Sequence, residues 1–134
     1  MSTSLHLTVH IDRSAEEVYR FAADPARLLQ WAAGLSGSIE ERDGRWFADS
    51  PMGEVEVRFA AENAYGVLDH DVTLPDGTTV TNPLRVLPDG AVCEVVFTLR
   101  RGPGVTEEAF DADAAAVRTD LATLKRLMEA TPAT

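Results

Sequence analysis

The chain of 134 residues, 45% apolar and 25% charged, has the size and composition of one soluble globular domain with one hydrophobic core, spanning residues 1–134. Its 22 acidic residues against 12 basic ones leave a net charge of −10, which repels polyanions and argues against nucleic acid or an anionic membrane surface as partner. No stretch approaches the roughly 18 apolar residues of a membrane span, and MSTSLHLTVH lacks the basic and apolar blocks of a signal peptide.

Leu5, Leu7, Val9 and Ile11 alternate with His6, Thr8 and His10, the period of a first strand with one apolar face. Ser14-Ala15-Glu16-Glu17 has the spacing of a capping box, and Val18, Phe21 and Ala22 form the stripe of the short helix it opens. Asp24-Pro25 restarts the count for a second short helix carrying Leu28, Leu29, Trp31 and Ala32, with Gly34 as its end.

Six further strands are expected. Residues 38–42 and 45–49 flank Asp43-Gly44, a two-residue hairpin signal. In 54–60, Val55, Val57 and Phe59 share one face and Glu54, Glu56 and Arg58 the other. Residues 66–74, 78–87 and 91–100 complete the set, divided by two Pro-Asp-Gly turns. Thr106 then caps a long helix headed by Glu107 and Glu108. Its apolar stripe is Phe110, Ala114, Val117, Leu121, Leu124 and Met128, and Lys125 and Arg126 near its far end suit the helix dipole.

The segment VLDHDVTL, residues 67–74, sets His70 between Asp69 and Asp71 and invites an acid–histidine reading. Alternation opposes it. With Pro75-Asp76-Gly77 as a three-residue loop, Leu74 faces Thr78; Val72 then faces Val80, His70 faces Asn82 and Leu68 faces Leu84, these six on one face, with His70 turned inward. Asp69, Asp71 and Thr73 then point outward and cannot orient the imidazole. The last strand turns Ala91, Cys93, Val95, Phe97 and Leu99 inward. A two-residue turn at Asp89-Gly90 would set Arg85 opposite Glu94 and Asn82 near Phe97. Pro83 removes a ladder donor inside its strand and calls for a bulge.

The order strand, two helices, six strands, helix resembles the helix-grip fold of the SRPBCC superfamily, which includes START domains, pollen-allergen-like proteins and bacterial polyketide cyclase/dehydrase-like proteins. The likeness rests on HLTVHIDRSAEEVYRFAADPARLLQW at the start and VVFTLRRGPGVTEEAF before the last helix. It implies an α+β fold in which a curved, seven-stranded antiparallel sheet grips the C-terminal helix around an apolar cavity, the two short helices closing one end. The glycine-rich loop of the plant members has no counterpart, Ser50-Pro51-Met52-Gly53 standing at that turn, and no Rieske ligand set is present.

On that fold a small hydrophobic molecule would bind between sheet and helix. Its lining would be His70, Asn82, Val57, Phe59, Leu68, Val72, Val80, Leu84, Val95 and Phe97 from the strands, Phe110, Val117 and Leu121 from the helix, and Trp31 at the mouth. The parity of Trp46 is open. His70 and Asn82 would orient a carbonyl or hydroxyl, and His70 is the candidate acid/base of a cyclase-like reaction. The bland alternatives are a core histidine satisfied by Asn82 or a buried water, and a non-enzymatic binding or co-chaperone-like module with a filled cavity. Cys93 reads as an inert small hydrophobe, and a single cysteine suits a reducing cytoplasm. His6 and His10 lack a third metal ligand, Glu40, Glu41, Glu54 and Glu56 read as a solvated rim, and no motif implies a metal or cofactor. A homodimer is a further expectation, which no residue pattern carries.

Overall fold

A computed structural model describes residues 4–33, 35 and 37–130. In strand β1 (Ser4–Ile11) the alternation decides the faces: Leu7 and Ile11 are buried while His6, Thr8 and His10 are exposed. Ser14 caps helix α1 (Ala15–Ala22), its Oγ accepting from the Glu17 amide at 3.2 Å. The same hydroxyl donates to the Glu17 carboxylate at 3.0 Å, so Glu17 meets the Ser14 side chain and not its backbone amide. Asp24 caps the second helix through the Ala26 amide at 3.0 Å, with Pro25 at its first position. That helix is a 3-10 helix, Pro25–Gln30, and Trp31 follows it as C-cap instead of lying within it. Gly34 lies outside the described residues.

Strands β2 (Ile39–Arg42) and β3 (Arg45–Ser50) join through Asp43 and Gly44, both at positive φ (53° and 78°) as a primed turn demands. Trp46 pairs with Val57 of β4 (Gly53–Phe59), which settles its parity on the side of Val55 and Val57; it is half-buried. Phe47 turns to the other face, where the Arg42 and Arg45 guanidiniums lie over its ring at 4.0 and 5.5 Å and pair with Glu54 and Glu56 of the acidic cluster.

The Pro75-Asp76-Gly77 loop forms as its residues require. Gly77 sits at φ 89°, and the Leu74 amide donates to the Thr78 carbonyl at 2.8 Å. Strand β5 (His70–Thr73) therefore pairs with β6 (Thr79–Asn82) with Val72 opposite Val80 and His70 opposite Asn82. The continuous strand expected over 78–87 is two strands. Pro83 brings no amide to the ladder, β6 ends at Asn82, and β7 (Leu84–Asp89) begins beyond it. Among the described residues this break makes the strand count eight and not seven, in a five-stranded sheet of order β2-β3-β4-β5-β6 and a three-stranded sheet of order β1-β8-β7. The sheets meet where the Pro83 carbonyl accepts from the Thr98 amide at 3.0 Å.

The last turn also differs from expectation. β7 and β8 (Val92–Arg100) are joined by Gly90-Ala91, so Val86 faces Val95, Leu84 faces Phe97 and Arg85 faces Val96 and not Glu94. Gly90 has φ 65° and Ala91 a negative φ, the pattern of a primed turn with glycine at its first central position. Apolar pairing across β7 and β8 outweighs the other register.

Helix α2 (Glu107–Ala130) starts at Thr106, whose Oγ1 accepts from the Ala109 amide at 3.1 Å. Phe110, Ala114, Leu121, Leu124 and Met128 are buried against the strands, and Val117 is half-buried. Lys125 is not in the last turn, since the helix extends to Ala130. Its ammonium ties the helix to β1, donating to the His10 carbonyl at 2.6 Å and to Glu129 at 2.7 Å, and Glu129 also accepts from the Asp12 amide at 2.9 Å.

Candidate ligand-binding site

Between the sheet and α2 lies a mostly apolar pocket of about 170 Å³. The strands contribute Val57, His70, Val72, Asn82 and Phe97, and α2 contributes Val117, Asp120 and Leu121. Leu28, Trp31, Ala32 and Leu35 cover it from the 3-10 helix and the segment that follows. A wider depression of about 780 Å³ includes Arg45, Glu56, Arg58, Asp71 and Thr73 among its walls. Such charged walls are well served by water, whereas an apolar pocket with a few converging polar groups is the usual form of a small-molecule site.

Eight of the residues named from the sequence line the pocket: Trp31, Val57, His70, Val72, Asn82, Phe97, Val117 and Leu121. Phe59 stands behind it, its ring centroid 5.1 Å from that of His70. Five others do not line it. Leu68, Leu84 and Val95 face inward but are sealed in the core beneath the join of the two sheets. Phe110 is buried about two turns before Val117 on α2. Val80 shares the inward parity of His70, yet it lies on the edge strand β6 and is 46% exposed. Asp120 escaped the sequence reading. Its signal was an acid three residues after Val117 and one before Leu121, inside the arc a helix buries.

The His70 ring lies tilted against Phe59, and Phe97 meets it edge-on with centroids 6.3 Å apart. Nδ1 lies 3.0 Å from the Leu68 carbonyl oxygen, which can only accept, so Nδ1 carries the proton. Burial holds the imidazole pKa below its ordinary 6.5, against the opposing pulls of the Leu68 carbonyl, Asp69 and Asp71. Burial thus favours the neutral ring, whose Nε2 lone pair has no hydrogen-bond partner among the described residues.

Asn82, the cross-strand neighbour of His70, adds an amide that both donates and accepts. Asp120 accepts from the Ala33 amide at 3.1 Å, and burial raises its carboxyl pKa despite that bond. The Trp31 indole N–H is buried without a partner among the described residues, a deficit of about 1–3 kcal/mol. The two aspartates beside His70 serve the outer face. Asp71 accepts from the Thr81 hydroxyl, and Asp69 binds Arg85 through two hydrogen bonds. Among the described residues no three His, Cys, Asp or Glu side chains group to hold a metal ion, and no helix is long and apolar enough to cross a membrane.

The sequence model of the polyketide cyclase / dehydrase and lipid transport family matches residues 2–129. No curated protein matches the chain. Among solved structures, XoxI from Bacillus cereus is 14% identical with a TM-score of 0.73, over 95% of this chain and 96% of its own. Protein MLL2253 from Mesorhizobium loti is 12% identical with the same TM-score, over 97% and 99%. The di-domain ARO/CYC BexL of the BE-7585A biosynthetic pathway is 20% identical with a TM-score of 0.64, over 93% of this chain and 46% of BexL. These identities establish a shared fold and nothing finer. With the family model spanning nearly its whole length, a sheet gripping a long C-terminal helix, and a pocket between them, the chain belongs to the polyketide cyclase / dehydrase and lipid transport family.

Proposed function

We propose that the protein binds a small, mostly apolar molecule between the sheet and α2, with His70 and Asn82 orienting its polar group. One observation carries the reading: in an apolar pocket, His70 has its Nδ1 committed to the main chain while Nε2 is unbonded beside Asn82. A ligand group that donates a hydrogen bond can use that lone pair. The volume of about 170 Å³ is close to the roughly 150 Å³ cavity that accommodates benzene, and below the ~300 Å³ at which drug-sized pockets begin. A single ring fits; a polycyclic polyketide is larger than this space. The size favours a binding module over a cyclase for large substrates. If a bound molecule turns over, His70 Nε2 is the group placed to accept its proton. The same proposal takes residues 1–134 as one domain working in the cytoplasm, with a homodimer as a further option for sedimentation to decide.

The test is a panel of single-ring compounds followed by amide and methyl NMR. Binding should shift Val57, Val72, Phe97 and Val117 together, and His70→Ala and Asn82→Ala should each weaken it about tenfold. Binding that both variants leave unchanged assigns the wrong residues, and a panel with no binder removes the reading.

A further inference from the structure

In an antiparallel pair, two residues facing each other at a hydrogen-bonded position exchange two bonds, each amide to the other's carbonyl. Leu68 and Leu84 take this position, because the bridge of Val67 with Arg85 continues, past Pro83, the register that sets His70 opposite Asn82. Half of the exchange is made: the Leu68 amide donates to the Leu84 carbonyl at 2.8 Å. The other half is diverted. The Leu84 amide donates to Asp69 Oδ1 at 2.9 Å, and the Leu68 carbonyl accepts from His70 Nδ1–H at 3.0 Å. A side-chain oxygen has replaced a main-chain carbonyl, and the carbonyl it displaced is the one that holds the histidine. Arg85 fixes the substitute in place, with Nε on Oδ1 at 2.8 Å and Nη2 on Oδ2 at 2.7 Å.

We infer that Asp69 is a positioning residue for His70: by capturing the Leu84 amide it removes the ladder donor that would share the Leu68 carbonyl with Nδ1–H, strengthens the Nδ1–H bond, favours that tautomer and presents Nε2 to the pocket as an acceptor. Asp69 acts from the opposite face of the strand, through the backbone and without touching the ring. The consequence is a specificity rule, which rests on the binding reading above. A ligand hydroxyl, phenolic or enolic, can donate to Nε2. A carbonyl of similar size meets it lone pair to lone pair. Asn82 can serve either group, so the choice falls to His70.

The tautomer can be read without any ligand, by long-range 1H–15N NMR of the imidazole at pH 7.5. The native protein should show a protonated Nδ1 and a bare Nε2. In Asp69→Ala the Leu84 amide is released to the Leu68 carbonyl and competes there with Nδ1–H, and the tautomer population should shift so that a protonated Nε2 emerges. Asp69→Asn, whose Oδ1 still accepts, should restore the native pattern, and Arg85→Ala should keep it. Asp69→Val, with its strand-favouring side chain, replaces Asp69→Ala if the alanine variant loses its fold. A protonated Nε2 in the native protein, or an unchanged pattern in the Ala and Val variants, overturns the inference.

Phenol and benzaldehyde provide the binding arm. Phenol should bind the native protein about tenfold more tightly, and Asp69→Ala should erase the difference. Equal binding to the native protein overturns the specificity rule while the pocket reading stands. Binding of neither compound counts against the pocket reading, and the tautomer measurement still decides the role of Asp69.

Discussion

At His70 the balance of forces can be tested through pH. The charged groups acting on the ring are Asp69 and Asp71, its sequence neighbours, and both favour an imidazolium; Asp120 of α2 lines the same pocket. Burial outweighs them and lowers the native pKa below 6.5. Between that value and 6.5 the unfolded chain binds more protons than the native one, so this contribution is full above pH 6.5 and is lost as pH falls through the native pKa. Asp120 has the opposite sign. Its raised pKa makes the native state hold more protons, so its contribution fades as pH rises above 3.8. Urea unfolding at pH 7.5 and 5.5 should show the native protein losing more stability on acidification than His70→Gln does; equal losses would mean that His70 titrates normally. Alternation alone disclosed that His70 faces inward and its aspartates outward. The partner of Asp69 was not legible, because the Leu84 amide lies 15 residues away, beyond the strand break at Pro83.

Among the elements, the close approach of the segment before β5 to β7 depends on Gly66. The Gly66 carbonyl accepts from the Val86 amide at 2.9 Å, φ is +71°, and a Cβ there would stand 2.2 Å from the Val86 carbonyl oxygen. Gly77 also has positive φ, at +89°, but a Cβ there meets nothing within 4 Å. Both substitutions to alanine carry the left-handed penalty of about 1–2 kcal/mol. Only Gly66→Ala adds a backbone clash, so it should lose at least about 2 kcal/mol more than Gly77→Ala in urea unfolding. Similar losses would show that the two backbones can separate at little cost. The same region explains what the sequence left hidden among the strands. Two Pro-Asp-Gly motifs look alike locally, yet the first forms a three-residue loop, while Pro88 and Asp89 stay in β7 and Gly90 begins the turn. The difference lies in the pairing of Val86 with Val95 and Leu84 with Phe97, contacts that no local motif carries. Pro83 marked the break itself, because a missing amide is visible in sequence; that the break divides two sheets is not.

For the molecule as a whole, the size of the pocket is a property of how α2 is held away from the sheet. One end of the helix is tied to β1 through Lys125 and Glu129, and Asp120 ties its middle to Ala33 just beyond the 3-10 helix. With the helix fixed at both places, the ligand volume depends on the side chains between, and Trp31 is the largest of them. Trp31→Leu should therefore widen the pocket without moving the frame. Its stability loss should fall short of the about 3–5 kcal/mol of a full truncation, because leucine refills part of the space and the unpartnered indole N–H is removed. The native protein should take phenol and reject 1-naphthol, whereas Trp31→Leu should take both, as measured by calorimetry or amide shifts. Rejection of 1-naphthol by Trp31→Leu would mean that the tethers of α2, and not the tryptophan, set the limit. Equal binding of 1-naphthol by the native protein would mean that the helix moves off the sheet in solution far enough to admit a second ring. A polycyclic substrate would then be within reach of the same His70.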